Sequence, residues 1–262
     1  MVRLQIVGGG RMGEALLAGL IAHDWAPAGE LAVVERLPER RAELRAEFPE
    51  VAVLDAPVAA QGAVVAVKPG DVAATCAELA AARVPRVLSI AAGVTLASLR
   101  EALGPDIAVL RAMPNTPAVV GAGASAISGA PGVAPDDVAW GRSLLEAVGV
   151  VVELDETKLD AVTGLSGSGP AYVFLVAESL IEAGVLVGLP RDVAEVLAVQ
   201  TLLGSARLLE SSDEHTAALR AQVTSPGGTT AAGLQALERG GLRSAILDAV
   251  QAATERSRQL GS

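Results

Sequence analysis

The sequence predicts an α/β domain with a doubly wound, mostly parallel sheet, followed by an all-α domain. In the first half, short apolar runs alternate with helical patterns, which is typical of βαβ units. After about Asp155 the strand patterns stop and helix follows helix. Apolar residues make up 51% of the chain but aromatic residues only 2%, which favours helices packed closely on a sheet. We therefore expect one domain at residues 1–154 and a second at residues 155–262.

Seven apolar runs predict the strands of the sheet. They are RLQIV (3–7), LAVVE (31–35), AVVAV (63–67), RVLSI (86–90), IAVLRAM (107–113), GASAIS (123–128) and VVVEL (150–154). Helical patterns lie between most of them, for example at residues 13–24, 38–48 and 136–148. This alternation predicts parallel strands joined by crossover helices.

Charge and cysteine content argue against several classes of function. The formal net charge is −10 and no basic run interrupts it, so binding to nucleic acid or to an anionic membrane is not expected. The single cysteine, Cys76, has no partner for a disulfide or a zinc site, and two histidines are too few for a His-rich metal site. The start of the sequence lacks the pattern of a secretion signal, so we expect a cytoplasmic protein.

The helix predicted from Ala171 to Val187 is apolar nearly all round. Only Glu178, Ser179 and Glu182 form a polar stripe, and the two glutamates argue against a membrane span. A helical domain of about a hundred residues has too little interior to bury such a helix on every side. We therefore expect a second subunit to cover it.

A glycine-rich turn follows the first predicted strand and opens the first helix. QIVGGGRMGEALLAGL places Gly8, Gly10 and Gly13 in the GxGxxG spacing of the Rossmann dinucleotide-binding fold. Gly8 permits the tight turn, Gly10 lets the backbone approach a diphosphate, and Gly13 lets the helix pack on the strand. Amides at the start of that helix bind the diphosphate. The residues expected at the cofactor are Gly8, Gly9, Gly10, Arg11, Met12 and Gly13, the alternative being a tight turn without a ligand.

The end of the second strand bears on which dinucleotide binds. Glu35 stands where an acid accepts hydrogen bonds from the adenosine ribose and so favours NAD. Arg36, Arg40 and Arg41 follow at once, and any of them can meet the extra phosphate of NADP, unless they only form a solvated helix start. The sequence therefore leaves NADH and NADPH both open.

Three further strand ends lie where open parallel sheets bind their ligands. AVKPGD places Lys68 at one of them, and SIAAGV offers small residues against which a flat ring can lie. RAMPNTPA brackets Asn115 between two prolines, which is also consistent with a rigid turn. Lys68 and Lys158 are the only lysines among 20 basic residues, and this rarity favours a functional Lys68 over a merely solvated one.

Two glycine-rich helix starts complete the pattern, TGLSGSGPAYVF (163–174) and VTSPGGTTAAGLQALERGG (223–241). Taken with GGGRMG, AVKPG, SIAAGVT and RAMPNTPA, these segments resemble pyrroline-5-carboxylate reductases, in the right order from Val7 to about Leu260. The resemblance implies reduction of 1-pyrroline-5-carboxylate to L-proline with NADPH or NADH, the last step of proline biosynthesis. It also implies helical domains that interlock between two subunits, dimers that commonly assemble to decamers, and a substrate site between one subunit's cofactor and its partner's helices.

The resemblance also implies roles for particular residues. Its cofactor contacts fall on the glycine turn, on Ala66, Val67, Lys68 and Pro69, and on Ile90, Ala91 and Ala92, with Asn115 nearby. Its substrate loop falls on residues 223–230, where the expected substrate-binding residues are Val223, Ser225, Gly227, Gly228, Thr229 and Thr230. The Thr230 hydroxyl is expected to contact the substrate nitrogen. Relatives that prefer NADPH tend to carry a small polar residue in place of Glu35, and alanine also occurs at the position of Thr229.

The chemistry of a cyclic imine that carries a carboxylate fits this loop. A protonated C=N bond accepts hydride readily, so no strong general base is needed. Amides of Gly227 and Gly228 at a helix start are expected to bind the carboxylate. The Thr230 hydroxyl is expected to orient the ring nitrogen and to pass the proton, directly or through water. The alternative is that Thr229 or Thr230 merely caps the helix.

Two other functions remain open on the sequence. One is a related imine or β-hydroxyacid reductase with the same architecture, although β-hydroxyacid reductases usually rely on a lysine in the helical domain and no lysine follows Lys158. The other is a non-catalytic module that senses dinucleotides, which has no use for SPGGTT or SGSGP.

Overall fold

A single sheet organises the first part of the chain. The structure is a computed structural model that describes residues 1–260. Within these residues the strands are β1 Leu4–Val7, β2 Leu31–Val34, β3 Ala52–Leu54, β4 Ala63–Val65, β5 Arg86–Ser89, β6 Ala108–Met113, β7 Gly123–Gly129 and β8 Gly149–Glu153. Their order across the sheet is β3-β2-β1-β4-β5-β6-β7-β8. All neighbours are parallel except β6 and β7, which are antiparallel.

Crossover helices cover both faces of this sheet. They are α1 Arg11–Ala22, α2 Pro38–Glu47, α3 Val72–Ala81, α4 Leu96–Leu103 and α5 Pro135–Glu146. One apolar core contains side chains of α1 and α5, such as Leu17 and Leu144, and a second contains side chains of α3 and α4, such as Leu79 and Leu99. The predicted doubly wound, mostly parallel sheet is therefore confirmed. The sequence analysis missed the short β3.

Cys76 lies in the second core and is fully buried. Burial raises the pKa of its thiol to about 11, because the low-dielectric interior disfavours the thiolate. At neutral pH the side chain is therefore a protonated, essentially apolar packing group.

The register of the central strands aligns the edge where a ligand is expected. Val7, the last residue of β1, pairs with Val34 at the end of β2 and with Val65 at the end of β4. Val65 pairs in turn with Ser89 at the end of β5. The loops that follow these four strands therefore leave the sheet side by side.

Helices form the rest of the described chain. They are α6 Leu159–Val162, α7 Gly169–Leu186, α8 Arg191–Ser211, α9 Thr216–Gln222, α10 Thr229–Arg239 and α11 Leu242–Leu260, with a π-helical turn at Thr163–Gly167 between α6 and α7. The predicted all-α second half is confirmed. By packing, the chain divides into one compact unit of Met1–Ser168 with the residues from Gln251 onward, and a second of Gly169–Val250. The predicted boundary between residues 154 and 155 lies before this division and stays a prediction.

Helix α7 exposes many apolar side chains. Phe174 is 63% exposed and Leu175 64%, and Leu180 and Val185 are exposed as well. The helical stretch Glu156–Leu186 is long and apolar enough to cross a membrane by length and composition alone, and none of its most apolar window is buried in the single chain. Apolar surface of this extent is typical of an interface.

Candidate functional site

The glycine turn between β1 and α1 has the shape that a dinucleotide requires. Gly8 has φ +109, and a Cβ there would lie 2.5 Å from the carbonyl oxygen of Ala66. A Cβ on Gly13 would overlap the carbonyl oxygen of Gly8. At Gly10, by contrast, no heavy atom of the described residues lies within 4 Å of the position a Cβ would take. Gly8 and Gly13 are therefore needed because a side chain there would clash, whereas the absence of a side chain at Gly10 leaves open space beside the turn.

The start of α1 offers backbone amides that could bind an anion. Gly10, which has no side chain, is the N-cap, and the first helical hydrogen bond runs from the Glu14 amide to the Gly10 carbonyl at 2.9 Å. The amides of Arg11, Met12 and Gly13 precede that bond and have no acceptor within the helix. Together with the helix dipole they favour a diphosphate in the open space at Gly10.

A cavity of about 330 Å³ lies beside the turn. The ends of β1, β2 and β4 and the start of α3 line it. It brings together seven of the predicted cofactor residues, namely Gly8, Gly10, Glu35, Arg36, Ala66, Val67 and Lys68. The lining also includes Asp71 and Thr75, which sequence reasoning missed and which follow Lys68 at helical spacing. Lys68 is exposed and forms no ion pair with any residue in 1–260.

Gly9 is not part of the cavity lining, and side chains bind both its amide and its carbonyl. The Glu35 carboxylate accepts hydrogen bonds from the amides of Gly9 at 3.0 Å and Leu37 at 2.9 Å. Arg40 donates from Nε to the Gly9 carbonyl at 2.9 Å and pairs with Glu14. Glu35, which also lines the cavity, therefore positions the glycine turn.

The prediction that any of three arginines can meet an NADP phosphate needs a correction. Arg40 is committed to Gly9, Glu14 and Glu43, and hydrogen bonding to Glu43 above all raises its pKa further. Arg41 donates from Nη1 to the carbonyls of Glu35 and Arg36, at 2.9 and 2.7 Å. Arg40 and Arg41 are thus both held by other groups, and neither is part of the cavity lining. Arg36 alone of the three lines the cavity.

Hydrogen bonds anchor the loop after β5 and the turn after β6. Ala91 is buried, Ala92 is exposed, and the Ile90 amide donates to Val65 at 3.0 Å. The Asn115 side chain accepts from the Ala124 amide at 2.8 Å and donates to the Ser166 carbonyl at 3.0 Å. Its amide group thus ties β6 to β7 and to the π-helical turn. The Asn115 side chain therefore has the structural role expected of a turn residue. Any contact between Asn115 and a cofactor would then come from its backbone.

A half-buried ion pair near this loop was missed by sequence reasoning. Arg111 on β6 has a side chain only 7% exposed, and its Nη1 lies 2.9 Å from Glu156 Oε1. The same oxygen accepts from the Leu96 amide at 2.7 Å, at the start of α4. Because α4 follows the Ile90–Ala92 loop, the Glu156 carboxylate positions the helix into which that loop leads. The partners are 45 residues apart in the sequence, so no local sequence pattern predicts the pair.

Removing the Glu156 carboxylate is expected to destabilise the fold. In Glu156→Ala, the nearly buried Arg111 guanidinium and the Leu96 amide both lose their acceptor, which costs about 2 kcal/mol. Urea unfolding measures the change as a lower midpoint at an unchanged m-value. Glu153→Ala, which removes an exposed carboxylate three residues earlier, is the matched control. Equal stability of the two variants would contradict the role of the ion pair.

The predicted substrate loop folds as a tight turn that leads into α10. The Gly228 amide donates to the Ser225 carbonyl at 3.0 Å, and Gly227 has φ +67. Pro226 at the second position and a positive-φ glycine at the third are typical of a type II turn. Val223 ends α9 and is 63% exposed. The glycine in VTSPGG that needs its conformational freedom is therefore Gly227.

The start of α10 corrects two expectations. Gly228 is the N-cap and Thr229 and Thr230 are the first two helical residues, so the capping alternative for these threonines is wrong. The Gly228 amide is used within the turn, so the expectation that it is free to bind a carboxylate is also wrong. The first helical bond runs from Ala232 to Gly228. The amides of Thr229, Thr230 and Ala231 therefore have no acceptor within the helix.

Known proteins resemble this chain over its whole length. A family model described as pyrroline-5-carboxylate reductase dimerisation matches residues 156–260, and one described as coenzyme F420-dependent NADP oxidoreductase matches residues 3–93. A pyrroline-5-carboxylate reductase of Synechocystis is 48% identical over 264 residues, covering 99% of this chain and 98% of that protein.

Solved structures agree. A pyrroline-5-carboxylate reductase from Coxiella burnetii has a TM-score of 0.92 and 34% identity, covering 100% of this chain and 99% of that one. The Plasmodium falciparum pyrroline carboxylate reductase, solved with NADP bound, has a TM-score of 0.88 and 30% identity, covering 100% and 98%. By both sequence and fold, the chain belongs to the pyrroline-5-carboxylate reductase family.

Proposed function

We propose that this chain is the oxidoreductase that reduces 1-pyrroline-5-carboxylate to L-proline, using hydride from NADPH or NADH, in the final step of proline biosynthesis. The observation that carries the proposal is the start of α10. There, a turn ends in Gly228, which is the N-cap. Three helical amides after it have no acceptor within the helix, and the Thr230 hydroxyl does not cap the helix. The family to which the chain belongs gives the substrate class.

The residues present fit a dinucleotide. The open space at Gly10 and the amides of Arg11, Met12 and Gly13 suit a diphosphate. Glu35 and Arg36 line the cavity where the adenosine ribose is expected, and Lys68 adds a positive charge. When bound, the dinucleotide supplies the hydride and the flat ring that carries it.

The residues around α10 supply the rest of the reaction. The amides of Thr229, Thr230 and Ala231 hold the substrate carboxylate, and the Gly227 amide borders the same turn. The Thr230 hydroxyl holds the ring nitrogen by a hydrogen bond and keeps its proton in place while the imine carbon becomes reduced. No residue with a strongly shifted pKa is required, because the protonated imine already carries the charge that hydride neutralises.

A second copy of the chain completes the enzyme. The exposed apolar surface of α7 lies within the region that matches the family's dimerisation model, and a partner's helices that cover it form the homodimer. Assembly to decamers, a cytoplasmic location and the absence of nucleic-acid or membrane partners stay predictions from the sequence.

Initial rates with pyrroline-5-carboxylate test the proposal. At matched NADH and NADPH concentrations, we expect turnover in the ordinary enzymatic range of about 1–10³ per second with at least one dinucleotide. Other cyclic imines and β-hydroxyacids serve as comparison substrates. Faster turnover of one of these would favour a related reductase, and dinucleotide binding without oxidation of any substrate would favour a sensor.

A further inference from the structure

An exposed ion pair stands at the ribose end of the dinucleotide cavity. Arg36 Nη2 lies 2.7 Å from Oε1 of Glu78, and the two side chains are 56% and 42% exposed. Arg36 lines the cavity, whereas Glu78 is on α3 and is not part of the lining. Arg36, a residue of the cavity lining, is therefore paired with a carboxylate of a residue outside the lining.

Arg36 is the one arginine of the group after β2 whose partner can be exchanged. The donors of Arg40 and Arg41 hold the backbone carbonyls that shape the glycine turn and the β2–α2 loop, so moving either would disturb the site itself. The Arg36–Glu78 pair holds only surface side chains. Exposed pairs of this kind are weak, and a phosphate that accepts charge-assisted hydrogen bonds competes well for the guanidinium.

While this pair is closed, Glu78 offsets part of the positive charge that would attract a further phosphate. Glu35 and Asp71 are acids in the cavity lining, and Arg36 and Lys68 are its cations. With Glu78 on Arg36, three carboxylates face two cations. A 2′-phosphate, which carries close to two negative charges near neutral pH, must compete with the Glu78 carboxylate for the Arg36 guanidinium.

We propose that Glu78 sets the cofactor preference of this enzyme by holding Arg36, so that NADPH binds less tightly than the cavity otherwise allows and NADH remains a competent cofactor. Glu78 is thus a positioning residue that acts only through Arg36. The inference rests on the dinucleotide binding in the proposed function but is independent of the identity of the substrate.

Dinucleotide titration of the full-length chain by calorimetry tests this inference. Glu78→Gln is expected to lower the Kd for NADP⁺ by about two- to fivefold at low salt, from the usual strength of an exposed pair, and to leave the Kd for NAD⁺ unchanged. A gain in affinity for one dinucleotide is a result that a structural role of Glu78 would not produce. Because no pyrroline-5-carboxylate is present, the outcome does not depend on turnover.

Two further variants make the result decisive. Glu146→Gln breaks an exposed pair with Arg142 of the same 2.7 Å separation, removes the same charge, and is expected to change neither Kd. In an Arg36→Met background, Glu78→Gln is expected to lose its effect on NADP⁺. The proposal is overturned if the Kd for NADP⁺ is unchanged in Glu78→Gln, if both Kd values shift together, or if the gain persists without Arg36.

Discussion

Replacing Thr230 by alanine is expected to lower kcat for pyrroline-5-carboxylate reduction by about 10²- to 10³-fold, the usual contribution of a positioned proton-handling group. Stability is expected to change by less than about 0.5 kcal/mol. The two effects separate because Gly228, and not Thr230, is the N-cap of α10. Loss of the hydroxyl therefore removes a contact to the reacting nitrogen without leaving a helical amide uncapped.

Two variants check that reading of Thr230. Thr230→Ser keeps the hydroxyl and is expected to retain most of the turnover. Thr216→Ala removes an exposed threonine from the first position of α9, another helix of the same compact unit, and is expected to leave kcat unchanged. Steady-state rates and thermal melts of all three variants distinguish a catalytic role of Thr230 from a structural one. A melting temperature that falls in Thr230→Ala while kcat holds would return the residue to a structural role.

The features that sequence predicted well depend on residues close together in the chain. The glycine turn and the starts of α7 and α10 each follow from a few adjacent glycines and prolines, whose backbone preferences act locally. The alternation of apolar runs and helical patterns likewise predicted seven of the eight strands in the described chain. Strand β3 escaped because three residues, AVL, show no useful period.

The features that sequence missed join distant residues. The Gly9 peptide is held by Glu35 and Arg40, which follow it by 26 and 31 residues, and Asn115 reaches Ser166 across 51. Each residue type is compatible with several roles, and only the tertiary packing selects one. For the same reason, three neighbouring arginines read as equivalent in the sequence while the structure leaves one of them facing the cavity.

The choice of N-cap at α10 shows where local reasoning stops. Serine and threonine are favoured caps, and SPGGTT offers three of them within six residues. The bond from the Gly228 amide to Ser225 closes the turn one residue before the threonines, so the chain enters the helix at Thr229. The hydroxyls of Thr229 and Thr230 therefore do not cap the helix.

Replacing Gly10 by aspartate is expected to raise the Kd for NADP⁺ and NAD⁺ at least a hundredfold, about 3 kcal/mol, without destabilising the fold. The new side chain would occupy the open space at Gly10 and place a negative charge against the diphosphate. Aspartate is nevertheless a preferred N-cap, and Gly10 has φ −72, which any residue adopts. Binding and stability are therefore expected to move independently, or even in opposite directions.

Calorimetric titration and thermal melting of Gly10→Asp distinguish a local block of the diphosphate position from a general disturbance of the glycine turn. Gly29→Asp introduces the same charge at another exposed glycine with open space around it, outside the cavity, and is expected to bind both dinucleotides normally. Gly13→Ala is expected to lower the melting temperature, because its Cβ would overlap the Gly8 carbonyl. Normal dinucleotide affinity in Gly10→Asp would show that the diphosphate does not lie at the start of α1, since no ligand can share that space with the new carboxylate.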